Sequence, residues 1–142
     1  MYNPPGNDDT EFIKLQNTGT AALDLAGAAF DGIRYTFPAG TPPLPPGQSL
    51  ILVRNAAAFA ERYPGWPVTD VYQGQLSNTG ETLTLTTAAG QVLTSFTYRS
   101  DGGWPLSPDG RGDLLERLDL SGDPNDPRSW QARPPLSLPL TP

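Results

Sequence analysis

The chain has no cysteine, no histidine, one lysine and one methionine. Without cysteine there is no thiol nucleophile, no disulfide and no thiolate metal ligand, and without histidine the commonest general base and zinc ligand are also missing. Lys14 is the single lysine, so the other eight basic residues are arginines. No apolar run reaches the ~18 residues that a membrane-spanning helix needs. Acidic residues outnumber basic ones by 15 to 9, for a net charge of −6 and a pI near 4.4. A field of that sign repels phosphate backbones, and nucleic acid is not expected as a partner.

What remains is a 142-residue chain with 17 prolines and 15 glycines. The length suits one domain with one core. Proline and glycine together stay below the ~25–30% at which low-complexity disorder is the better reading. They cluster between short alternating runs, as in an all-β domain with many tight turns.

The longest alternation runs from Leu76 to Tyr98 and predicts a β-hairpin. Leu83 and Leu85 take one face and Thr82, Thr84 and Thr86 the other, while Val92, Phe96 and Tyr98 share a face on the return strand. Ala88-Ala89-Gly90 supplies a three-residue loop with glycine at its left-handed position. Upstream, Glu11 to Gln16 reads as a strand with Ile13 and Leu15 on one face and Phe12 on the other. Leu23 and Leu25 form a second inward pair. Ile33, Tyr35 and Phe37 alternate in a further strand, and Thr41 to Gly47, with four prolines, is an extended connector.

Leu50 to Val53 is continuously apolar, the pattern of a strand covered on both faces. Asn55 is placed to cap a short helix over Ala56 to Tyr63, stopped by Pro64. Trp66 to Tyr72 offers a short strand with Val68 or Val71 inward. Arg99 to Gly112 is a glycine-rich loop, Leu114 to Leu118 a strand, and Asp126 a cap for one helical turn begun by Pro127. Residues 1–131 are expected to form the domain. Residues 132–142 read as a proline-rich linker or tail.

These blocks, taken together, resemble the lamin tail domain family, particularly its bacterial form. The resemblance rests on EFIKLQNTGTAALDLAG, YTFPAG, PPGQSLILVRNAAAFAERYPG, LSNTGETLTL, SFTYRSDGGWP, LLERLDL and SGDPNDPRSW, which follow in order over most of the chain. It implies an immunoglobulin-like β-sandwich, in agreement with the count of short strands. It also implies that Met1 to Pro4 is the end of a first strand whose earlier residues are missing. Ala28-Ala29 stands where the family often packs a tryptophan, which assigns that part of the core to Trp66 or Trp104. Bacterial relatives look like accessory modules of large exported or surface proteins, so the resemblance implies an extracellular or cell-surface place. The implied partners are neighbouring domains or surface proteins. The nuclear-envelope role of eukaryotic lamin tails is not carried over, since the chain has no filament-forming helix and the wrong charge for chromatin.

Two groups of residues are candidates for a site. Trp66, Tyr98 and Trp104 are flat side chains of the kind that stack on sugars or partner surfaces when exposed, and pack a core when not. Trp104, between Gly103 and Pro105 in a loop, is the foremost of them, with polysaccharide as the implied ligand. Asp119, Asp123 and Asp126 could offer hard oxygen ligands to calcium, but their spacing matches no calcium-loop signature and aspartates before proline or a helical turn are ordinary caps. No cofactor is expected, and calcium is the one candidate. Arg111-Gly112-Asp113 spells an adhesion tripeptide at a position that reads as a turn. No carboxylate pair is nominated by spacing, so an enzyme is not expected. The expected role is a non-catalytic binding, anchoring or spacing module, with a carbohydrate- or calcium-dependent ligand module as the alternative.

Overall fold

The computed structural model describes residues 1–6 and 8–134. Its strands are β1 (Phe12–Gln16), β2 (Ala29–Asp31), β3 (Tyr35–Thr36), β4 (Ser49–Val53), β5 (Asp70–Val71), β6 (Gly80–Thr86), β7 (Val92–Arg99), β8 (Leu114–Arg117) and β9 (Trp130–Arg133), with one α-helix, α1 (Ala56–Arg62). They form three sheets, ordered β1-β4-β5, β3-β2-β6-β7 and β8-β9. The architecture is the all-β sandwich expected from the alternation.

Burial explains each element. Leu83 and Leu85 of β6 lie in the core, while the opposite face of the hairpin carries hydroxyl pairs, Thr82 with Thr97 at 2.7 Å and Thr84 with Ser95 at 2.8 Å. Such cross-strand pairs are how a wet sheet face is knitted. Gly90 closes the loop at φ +89°. Val92 departs from the expected face. The register slips between Leu85 and Thr86, so that Leu85 faces Thr94 while Thr86 faces Val92. This bulge leaves Val92 exposed and puts Leu93 against the core instead.

The continuously apolar β4 is buried on both faces because two clusters meet on it. Leu50 and Leu52 join the main cluster with Leu25, Ala28, Phe30, Phe37, Leu83 and Trp104. Ile51 and Val53 join a second one with Phe12, Phe59 and Tyr63. That second cluster is roofed by α1, whose cap is the expected one, with the Asn55 side chain accepting from the Ala58 N–H at 3.0 Å. Trp66 packs on this second cluster and Trp104 on the main one, so of the two it is Trp104 that shares a core with Ala28.

Several expectations are corrected. The stretch after α1 pairs in parallel with β4 over Asp70 and Val71, with Thr69 and Tyr72 donating their N–H groups to the Ile51 and Val53 carbonyls. Val68 and Val71 both face outward, and Tyr72 is the residue that enters the core. Leu23 and Leu25 do turn to the main core as an inward pair, but neither lies in a strand, and Leu23 makes a single bridge to Leu44 in the proline-rich connector. Leu118 is exposed, one residue past the end of β8. Ala132 and Arg133, expected in the tail, are strand residues, paired with Leu115 and Leu114. The remainder of that proline-rich stretch, 135–142, lies outside the described residues. At the other end, Met1 exchanges hydrogen bonds with Phe12 at 2.9 and 3.2 Å, and Asn3 bridges to Asp109.

Candidate functional site

The aromatic candidates are mostly structural. Trp104 is 4% exposed. Its indole lies 5.9 Å from that of Trp130, which in turn lies 4.9 Å from Phe96. Trp130 also donates its indole N–H to the Pro124 carbonyl at 2.9 Å and carries the Arg117 guanidinium 5.7 Å above its ring. The row Phe96, Trp130, Trp104 fastens β9 and the 99–112 loop to β7, so Trp104 offers no free face for stacking. Tyr98 is buried too, 4.8 Å from the Tyr2 ring. Its hydroxyl donates to the Ser77 carbonyl at 2.6 Å, and burial together with the Glu81 carboxylate pushes it well above the usual phenol range. Trp66 is the half-buried member, 5.9 Å from Tyr63.

The aspartate candidates cap turns. Asp119 accepts from the Ser121 N–H at 3.0 Å and Asp123 from the Asn125 N–H at 2.9 Å. Asp126 accepts from the Arg128 N–H at 2.9 Å and from its guanidinium at 2.8 Å. The Arg128 side chain, then its backbone N–H, hold the Asp126 carboxyl below the usual carboxylate range. Among the described residues no group of three or more carboxylates is gathered to hold a metal. Asn125, between them, does something the sequence did not signal. Its side-chain oxygen accepts the Thr97 N–H at 2.8 Å and so blunts the free edge of β7. Arg111 lies in a turn, its N–H donating to the Ser107 carbonyl at 3.2 Å, and Gly112 follows at φ +100°.

Glu11 is the residue that sequence reasoning missed. It precedes β1 and is fully buried. One carboxylate oxygen accepts from the Tyr72 hydroxyl and the Leu76 N–H, each at 2.8 Å. The other has no hydrogen-bond partner. Burial raises the Glu11 carboxyl above its usual range, against the pull of those two donors. Burial and the Glu11 charge push the Tyr72 hydroxyl far upward in turn. Only its position at the head of an apolar strand could have marked it.

A groove of about 900 Å³ runs between β1 and β8. Its walls are Phe12 to Gln16 on one side and Leu114 to Leu118 on the other, and its floor includes Leu25, Phe30, Leu83, Leu85 and Phe96. At the ends of the β1–β4 ladder Glu11 bonds to Arg54 and Asn17 to Gln48, which flank β4, so by alternation Ile13 and Leu15 bond to β4 itself, and Lys14 and Gln16 turn their N–H and C=O groups the other way, toward the groove. In the β8–β9 ladder Leu118 bonds to Ser129, which turns Leu115 and Arg117 toward the same gap. Glu116, half-buried in the lining of the groove, is held by Arg133 at 2.8 and 3.0 Å.

No curated protein and no solved structure matches the chain. The family model for the Lamin Tail Domain does match, over residues 1–100. That span contains β1 to β7 and α1, which are the two main sheets and both core clusters in nearly their whole extent. By that match, and by the sandwich built from the matched strands, the chain belongs to the lamin tail domain family, a family of immunoglobulin-like modules that are generally non-catalytic.

Proposed function

We propose that this chain is a non-catalytic module that binds, anchors or spaces within a larger bacterial exported or surface protein, through contacts with neighbouring domains or with surface proteins. The observation that carries this reading is the character of the recess. Its floor is apolar, and its one carboxylate, Glu116, is occupied by Arg133. A hydrolytic site needs a free acid or base beside a substrate-sized cleft. A recess without a free acid or base is instead a contact surface.

The experiment is an amide NMR titration with soluble cell-envelope saccharides, in calcium and then in chelator. Spectra that stay unchanged through every addition support a protein-contacting module. Saturable shifts around Trp66 on adding saccharide, or a melting temperature that rises with free calcium and falls in chelator, would replace it with the carbohydrate- or calcium-dependent alternative.

A further inference from the structure

The run Pro42-Pro43-Leu44-Pro45-Pro46 crosses the surface between β3 and β4. Proline fixes its own φ at about −65° and pushes the residue before it into the extended region, and Thr41, Pro42, Leu44 and Pro45 each precede a proline. The run is therefore a polyproline II helix, with about three residues to the turn. Burial follows that period. Thr41 and Leu44 are half-buried, while Pro42, Pro43, Pro45 and Pro46 are exposed, as are Ala39, Gly40, Gly47 and Gln48 on either side. One face of the helix rests on the sandwich, where Leu44 packs against the main cluster. The two faces built of proline stand out into solvent.

The resting face is pinned. Leu44 exchanges backbone hydrogen bonds with Leu23 at 2.9 and 2.8 Å, and its carbonyl also accepts the Asn17 side-chain amide at 2.9 Å. At the two ends the Thr41 hydroxyl donates to the Pro38 carbonyl at 2.7 Å and the Gln48 N–H to the Pro45 carbonyl at 3.1 Å. Leu44 carries the one N–H within the run, and that N–H goes to Leu23. The run cannot act as a strand for a partner sheet, so what it offers is proline rings and carbonyl oxygens. No residue within 35–53 is charged.

We propose that the 42–46 ridge is a docking site for a partner domain with an aromatic-lined polyproline groove. The inference rests on the binding-module reading above and names a partner class for it. With a period of three, Pro42 lines up with Pro45 and Pro43 with Pro46, about 9 Å apart at the rise of polyproline II. A groove then seats Pro42-Pro43 between one pair of rings and Pro45-Pro46 between the next, with Leu44 turned away from it. Leu44 is the residue the sandwich already holds, so the domain presents the ridge with its binding faces outward. The chain is straightened on folding rather than on binding, which removes an ordering penalty from association. The uncharged run gives an acidic pocket nothing to pair with, so affinity depends little on salt.

The probe is an isolated WW domain selective for uncharged proline-rich ligands, a groove of this class, titrated into the full chain and read by amide NMR. Saturable shifts centred on Gly40, Thr41, Leu44, Gly47 and Gln48 are expected, nearly the same at low and high salt. Pro42→Ala combined with Pro45→Ala weakens binding by about tenfold or more, as losing the anchors of a small interface does, and leaves the melting temperature of the free protein nearly unchanged. Pro64→Ala, at an exposed proline just beyond α1, leaves binding as it was. A full chain that does not bind overturns the proposal, even where a capped 41–47 peptide binds alone, since the domain would then cover the ridge. Shifts confined to the other proline-rich stretch, 134–142, with binding indifferent to the Pro42 and Pro45 substitutions, overturn it too. A silent ridge with silent saccharide and calcium titrations removes the docking site and leaves the module reading in place. Saturable saccharide binding removes the module reading whatever the WW domain does.

Discussion

Tyr72 donates its hydroxyl to Glu11 at 2.8 Å in a place where neither residue reaches solvent, and the pair ties the segment after β5 to the head of β1. Because one Glu11 oxygen lacks a partner, its burial is only partly compensated and the folded state holds the carboxyl proton more tightly than the unfolded chain does. The sign follows. Below the ordinary glutamate range both states are protonated and no penalty exists. As pH rises from that range through the raised folded value, the unfolded chain ionises first, and stability falls until both are ionised. Glu11→Gln keeps an acceptor for Tyr72 and Leu76 and removes the titration. Across about pH 4 to 8, where carboxylates titrate, the denaturant midpoint of the native sequence should fall relative to that of Glu11→Gln, which is the more stable protein at the upper end.

Trp104→Ala should cost on the order of 3–5 kcal/mol, the usual loss for a buried large aromatic, because the indole is the outer plate of the Phe96–Trp130–Trp104 row. Trp104→Phe should recover a good part of it. Urea unfolding gives both numbers. A Trp104→Ala protein with an unchanged midpoint would show that the ring is not holding the 99–112 loop.

Gly80 opens β6 at φ +124°, and a Cβ there would drive into the Tyr98 carbonyl oxygen and stand 2.9 Å from the Arg99 Cα. Gly80→Ala should therefore destabilise by more than ~1 kcal/mol, since both the conformation and the space are wrong. Gly40 has open space around it and no left-handed backbone. Gly40→Ala should leave the thermal midpoint where it is or raise it slightly.

Asn55→Ala removes the acceptor of the Ala58 N–H and should cost about 1 kcal/mol, the usual worth of an N-cap. Asn55→Asp should keep most of it. The difference reads out in thermal melts, with the loss centred on α1 and on Phe59 beneath it.

The alternation of Leu83 and Leu85, the unbroken run Leu50 to Val53 and the cap at Asn55 were legible because each is a local pattern with one physical solution. Val92 was not, since a bulge is decided by the partner strand and leaves no mark on the period of its own. Val68 and Val71 misled for a related reason, as a two-residue parallel edge has too few positions to show a period, and the side chain that enters is Tyr72. Ala132 and Arg133 were read by the prolines after them rather than by β8, their actual partner. The candidate site was least legible of all. Lys14, Gln16, Leu115 and Arg117 border the groove with backbone edges that every residue carries, so no residue type could announce them.

Lys14 is also the one side-chain amine in the sequence, and it stands on the wall of the β1–β8 groove. Coupling the protein to a sensor surface, bead or dye through lysine chemistry therefore attaches it at the rim of its own recess. A partner assay built that way would report silence from a blocked site. Capture through the C-terminus leaves the wall open.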